Sequence, residues 1–197
     1  EEVTTGIFKN PVDEPIYLGT EDVVDDSVID RKYHGGMDKA CYIFSTDHYP
    51  DWQAMHPYLE WSYGMFGENL TIEGLDESKM NIGSIYQVGE AKIQVCQPRQ
   101  PCFKLGIRFE TQAILKTFVK ESYSGVYFRV IEEGDVGVGD DLILQDEQHL
   151  LSIAQVYRLL YNHDLKSKEL TMNAMESKYL PKSCKDSIWK TQTGTVL

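Results

Sequence analysis

No Cys-x-x-Cys pair occurs in this chain, whose four cysteines are Cys41, Cys96, Cys102 and Cys184. Iron–sulfur clusters and structural zinc sites draw on several closely spaced thiolates, so neither is expected. So sparse a set is also not the framework of a secreted disulfide scaffold. No apolar run approaches the roughly 18 residues of a membrane span. Glu1-Glu2-Val3-Thr4-Thr5 offers no basic and then apolar leader, so a cytoplasmic protein with free thiols and no membrane partner is the expectation. Positive charge is scarce: the net charge is −12, which disfavours nucleic acid as a partner. No glycine fingerprint follows a strand, which excludes an evident nicotinamide or flavin site. The glycines of Gly134-Asp135-Val136-Gly137-Val138-Gly139-Asp140 precede no Lys-Ser/Thr and open no helical pattern. They read as a turn sequence in a barrel, not a phosphate loop.

What is present suits a globular fold. Hydrophobic residues make up 42% and charged residues 25% of 197 residues, enough for one good-sized domain with an appendage. Short extended segments recur at Val3–Phe8, Pro15–Leu18, Ala40–Phe44, Glu68–Glu73, Gly83–Gly89, Ala91–Cys96, Gly125–Ile131 and Leu142–Leu144. Helical spacing marks residues 47–60 and 110–121. After about residue 148 the character changes. Ser152 is placed to cap a helix carrying Ile153, Val156, Tyr157, Leu159 and Leu160, and two more helices are expected near 166–178 and 183–190. The fold expected is mainly β: a barrel with a few peripheral helices over residues 1–147, then a small helical module over 148–197. Charge divides at the same place. Residues 1–147 hold 12 Lys/Arg against 27 Asp/Glu, and residues 148–197 hold 7 against 4. Half of the twelve cations fall in two short runs, Arg31, Lys32, Lys39 and Arg99, Lys104, Arg108. Clustered cations on an acidic body suggest a small anionic ligand.

Three segments carry chemistry. In Gln97-Pro98-Arg99-Gln100-Pro101-Cys102-Phe103-Lys104-Leu105, two prolines end a strand and stiffen a turn, and two cations flank a thiol. Positive neighbours favour thiolate, the form that attacks electrophiles or binds metal. A buried structural cysteine is the plain alternative. In Lys32-Tyr33-His34-Gly35-Gly36-Met37-Asp38-Lys39, paired glycines let a ligand approach backbone N–H groups between two lysines; a tight turn before a strand is the alternative. In Phe66-Gly67-Glu68-Asn69-Leu70, Asn69 can both donate to and accept from a polar ring. Most such pieces are turns leading into strands. A Cys–His hydrolase would pair Cys102 with His34, His48, His56, His149 or His163, but no local hydrolase signature accompanies them.

Taken in order, His34-Gly35-Gly36 with Asp38-Lys39-Ala40, Phe66 to Leu70 with Glu73-Gly74-Leu75, Gly83, Gly89, the cysteine segment, and Gly134-x-Val136-x-x-Gly139-Asp140 resemble the MOSC domain family. The likeness is greatest to its YiiM-type bacterial branch and runs over roughly residues 14–145, with the tail similar to that branch's three-helix module. The resemblance implies a barrel-like fold that binds molybdenum cofactor, a molybdenum-bearing pterin dithiolene ending in a phosphate. It implies Cys102 as the protein ligand to molybdenum, and His34, Gly35, Gly36, Lys39, Asn69, Arg99 and Lys104 about the pterin and phosphate. The activity implied is reduction of N-hydroxylated compounds, including purine bases, hydroxylamines and amidoximes, with electrons from a separate donor protein. Other members are sulfurase domains, so a carrier or sulfur-transfer module is the rival. Pyridoxal phosphate is disfavoured, since no Schiff-base lysine can be nominated. A homodimer is allowed. The chain departs from the family where Asp22-Val23-Val24-Asp25-Asp26 replaces Gly-x-x-Gly-Asp, keeping only Asp26, and where Ser84 replaces an aspartate.

Overall fold

The computed structural model describes residues 4–26, 35–162 and 167–194. Its strands are β1 (Ile16–Leu18), β2 (Cys41–Ser45), β3 (Leu70–Ile72), β4 (Ile85–Val88), β5 (Ala91–Pro98), β6 (Val126–Glu132), β7 (Gly134–Val136) and β8 (Ile143–Asp146). Its α-helices are α1 (Tyr49–Met55), α2 (Phe103–Arg108), α3 (Ile114–Glu121), α4 (Ile153–Tyr161), α5 (Lys168–Glu176) and α6 (Lys182–Thr193). Six strands form one sheet in the order β3-β2-β6-β5-β4-β8, and β1 pairs with β7 beside it. The sheet is curled like part of a barrel, with helices at its periphery. Among the described residues, no helix is long and apolar enough to cross a membrane.

Strand β2 is the centre of the molecule. All five of its residues are buried, and it pairs parallel to β3 and antiparallel to β6. Alternate side chains leave opposite faces of a strand. Cys41 and Ile43 therefore enter a core of Ile82, Ile93, Val95 and Phe128, shared with Val156, Leu159 and Ile188 of the C-terminal helices. Tyr42 and Phe44 enter a second, aromatic core of Trp52, Phe66, Phe109 and Phe118. Each of those large rings is sealed from solvent, worth roughly 1.5–3 kcal/mol apiece.

Two devices shape the strand that leads to Cys102. Gly89, at φ 52, makes the β4–β5 turn, and Glu90 N–H donates to the Asp135 carbonyl at 2.9 Å, pinning the turn on β7. Further along, the β5–β6 register shifts between Val95 and Gln97. Such a bulge re-aims a strand. Gln97 then donates to the Asp38 carbonyl at 3.1 Å, joining the end of β5 to the turn before β2.

The helical tail is stitched to the strands. Ser152 and Gln155 form a reciprocal capping box at the start of α4. Ile82 N–H donates to Leu151, and Ile153 N–H donates to Met80, both at 2.8 Å.

Most expected elements are present. The described residues of Val3–Phe8 form no strand. The helix expected to 60 ends at Met55, since Pro57 steers His56 out of helical geometry, to φ −131 and ψ 58. Gly134–Val136, expected as turn, is a strand paired to β1. Helix α2, directly after Cys102, was not expected.

Candidate functional site

Cys102 closes the Arg99-Gln100-Pro101 turn after β5 and is the N-cap of α2, in extended geometry, its carbonyl accepting from Leu105 N–H at 2.9 Å. It is partly exposed; the other three cysteines are buried. Burial pushes the Cys41 and Cys184 thiols up to about 12 and moves Cys96 upward as well. Thiolate chemistry near neutral pH is thus closed to those three.

The 3₁₀ turn Met37–Lys39, whose lysine feels the field of Cys102, is entered through Gly36 at φ 85. A side chain is strained at that angle, and a Cβ there would point into open space. The turn is held from behind: Asp38 accepts from Arg129 Nε at 2.6 Å, while its backbone carbonyl accepts from Gln97. Lys39 is half-buried, its ammonium 6.0 Å from the centre of the Tyr127 ring. Burial lowers its pKa, opposed by the field of Cys184, Cys96, Asp38 and Cys102. Gly35 opens this described segment, and His34 lies outside the described residues.

Arg99 is 6% exposed, within the aromatic core. Its guanidinium donates to the Phe66 carbonyl and lies 5.0 Å from the Tyr42 ring and 5.8 Å from Phe118. Burial pulls its pKa down, but Tyr42, Tyr127 and Cys102 outweigh that and the net shift is upward, so it remains a cation. Tyr127, opposite Gln97 in the sheet, is pushed upward by burial, with Arg99 opposing. Lys104 is buried in the first turn of α2.

Glu68 and Asn69 organise the opposite loop. The buried Glu68 carboxylate accepts from the Tyr49 hydroxyl, Gly64 N–H at 2.9 Å, Phe66 N–H at 3.0 Å and the Thr71 hydroxyl at 3.2 Å. That fixes the Phe66 carbonyl where Arg99 reaches it. The Asn69 side-chain carbonyl accepts Tyr42 N–H at 3.0 Å, and its amide donates to Asp26 at 2.8 Å. Asp26 also pairs with Lys9 at 2.7 Å.

The fold thus gathers Cys102, Arg99 and Lys39 around Tyr127, with Lys104 two residues on from the thiol. Asn69 joins them through Tyr42 and Asp26. Sequence reasoning missed Tyr42, Tyr127 and Glu68. Only Glu68 left a local signal, a carboxylate in a turn just ahead of a strand. The described histidines have other partners: His48 stacks on Tyr123 at 3.8 Å and meets Glu77, His56 meets Tyr58, and His149 meets Glu147. A cavity of about 270 Å³, lined by Lys9, Ile16, Tyr63, Asn69, Leu70 and Val136 among others, does not include Cys102. Its lining contains neither a thiol nor an imidazole.

Residues 30–143 match the family model described as the MOSC domain. The chain is 35% identical over 193 residues to YflK, an uncharacterised protein of Bacillus subtilis, spanning 96% of this chain and 86% of that one. It is 32% identical over 164 residues to a Gibberella moniliformis protein named reductase, spanning 80% of this chain but only 29% of that one. Among solved structures, YiiM from Geobacillus stearothermophilus has a TM-score of 0.81 at 30% identity, covering 96% of this chain and 90% of that chain.

Proposed function

The chain belongs to the MOSC domain family, and from that membership we propose that it is a molybdenum-cofactor-binding reductase of N-hydroxylated compounds, with Cys102 the protein ligand to molybdenum. One observation carries the reading: of four thiols, only Cys102 meets solvent, on the turn that links β5 to α2. The residues present fit such a group. Among the described residues, no three His, Cys, Asp or Glu gather to hold a bare metal ion. A single soft thiol suits a metal that arrives with its own sulfur donors.

When bound, the cofactor supplies two-electron redox chemistry at molybdenum. The chain supplies the rest. Lys39 and Lys104 hold the anionic phosphate by charge-assisted contacts. Gly35 and Gly36 let the backbone approach closely, and His34 and Asn69 complete the pterin side. Arg99 adds a fixed positive potential from within the core. Reducing an N-hydroxyl group to an amine consumes two electrons and two protons and releases water, so a separate electron-donor protein belongs to the proposal. So does the division into a MOSC barrel over 1–147 and a three-helix module over 148–197. The named reductase relative supports the redox reading.

The test is metal and pterin analysis of protein made with molybdate, beside turnover of an N-hydroxylated purine with a chemical reductant. Cys102→Ser is expected to lose most of its molybdenum, while Cys41→Ser, Cys96→Ser and Cys184→Ser keep it. Equal loss in Cys96→Ser would overturn the ligand assignment. Full loading without turnover would favour a cofactor carrier or sulfur-transfer module.

A further inference from the structure

The cavity that does not include Cys102 opens along the edge of β3. Leu70, Thr71 and Ile72, the whole of that strand, line it. Successive side chains of a strand point to opposite faces, so a cavity on one face would meet only every second residue. Here Leu70 and Ile72 pack toward the main core, while the Thr71 hydroxyl turns to Glu68 at 3.2 Å. A wall that takes in all three is the backbone edge of the strand. β3 ends the six-stranded sheet and has β2 as its single neighbour there. Half of its N–H and C=O groups therefore turn away from β2, toward the cavity. Across the gap stand Ile16 of β1 and Val136 of β7, paired with each other and not with β3. The space between holds about 270 Å³, close to the size of small-ligand pockets. Its charge is acidic. Glu14, Glu68 and Asp140 line it, and Lys9, the one cation among the described lining residues, is committed to Asp26 at 2.7 Å.

We propose that this gap is a peptide-binding site, in which an extended segment of a partner protein adds to the free edge of β3. The segment carries branched apolar side chains for Ile16 and Val136 and a lysine or arginine for Glu14 and Asp140. In strand addition the main-chain hydrogen bonds give affinity, and the pockets for alternate side chains give the choice of sequence. The edge faces a narrow gap with a second wall, so it suits a slender chain and not the edge strand of a second folded copy. The proposal does not rest on the reductase reading. Asn69 is the one residue common to the cavity and the proposed cofactor site, and both ends of its amide are taken by Tyr42 and Asp26.

The probe is a fluorescein-labelled Ser-Val-Val-Val-Lys-Lys amide, titrated with the full chain and read by anisotropy. Two further peptides are N-methylated, one at the second valine and one at the third. Adjacent N–H groups of a strand point to opposite sides, so one of the two methyl groups must meet the β3 edge and should weaken binding by about 10-fold or more, while the other is tolerated. Replacing both lysines with glutamate should also weaken binding, and added salt should reduce the difference. Val12 lines the cavity and is 56% exposed, so Val12→Trp should block entry without unfolding the protein. Leu150→Trp, at an exposed position outside the lining, is the control and should bind as wild type does. Melting curves of both variants check the fold, and hydrogen exchange at Leu70–Ile72 should slow when peptide is added. No binding to wild type at millimolar peptide overturns the site. Binding that both methylated peptides retain, or that Val12→Trp leaves intact, overturns strand addition to β3.

Discussion

Replacing Arg99 with alanine asks whether this buried cation belongs to the fold or only to a ligand. The change strands the buried Phe66 carbonyl, which costs about 1–3 kcal/mol. It removes the guanidinium from the faces of Tyr42 and Phe118, worth about 0.5–2 kcal/mol. It also leaves a gap in an aromatic core, about 2 kcal/mol or more in large-to-small substitutions. Against these, the cost of desolvating a buried cation, several kcal/mol in its own right, is relieved. The net expectation is a loss of about 2–4 kcal/mol. For a chain of this size that lowers the melting temperature by about 5–15 °C. Arg99→Met, which keeps most of the volume, should fall less. Lys39→Ala, at a half-buried position, should move stability by under about 1 kcal/mol. Thermal and urea unfolding of cofactor-free protein, followed by circular dichroism, gives these values directly. Were Arg99 only a contact for an anionic ligand, the cofactor-free Arg99→Ala variant would melt with wild type, and the reasoning from the aromatic core would be refuted.

Iodoacetamide at pH 8 should label Cys102 alone in the native protein, with Cys41, Cys96 and Cys184 reacting only after denaturation; mass mapping of the peptides decides it. Alkali should destabilise the fold. Cys41 and Cys184 are held at about 12, and an unfolded thiol ionises near 8.5, so the folded state binds these protons more tightly. Their contribution is full below about pH 8.5 and is lost as pH rises toward 12, by up to about 1.4 kcal/mol per pH unit per thiol. Urea midpoints at pH 8, 9.5 and 10.5 should fall accordingly, and less steeply in Cys184→Ala. Glu68→Gln keeps shape but removes a charge that accepts four hydrogen bonds, and should cost about 3–5 kcal/mol in urea unfolding.

Local pattern carried much of the fold. Ala40–Phe44 reads as a strand from its own residues, Gly89 between two alternating runs marks a hairpin, and Ser152 with Gln155 spells a cap. Cys102 stands out because prolines and cations surround it in sequence. Other features depend on what meets what across the chain. The bulge near Cys96 leaves no mark, because one extra residue in a strand changes no residue type. Helix α2 is hidden behind two prolines and contains Gly106, which only the overlying Gln112 explains. β7 carries turn residues and becomes a strand because β1 offers a ladder. Asn69 reads in sequence as a candidate ligand contact, and only the fold shows that its amide also bridges Tyr42 and Asp26. Tyr127 looked like any strand aromatic until Lys39, Arg99 and Cys102 surrounded it.

Strand β2, walled in by a core on each face, also sets what in this site can move. Its amides should exchange with deuterium only when the whole molecule opens, because no smaller opening frees a strand covered on both faces. Lys39 lies two residues before its first amide and inherits that stillness. Phe103 and Cys102 ride instead on a one-and-a-half-turn helix fastened by Gln112. The Lys39 turn is thus tied to the opening of the whole molecule, whereas the Cys102 turn depends on a short helix and its Gln112 tie.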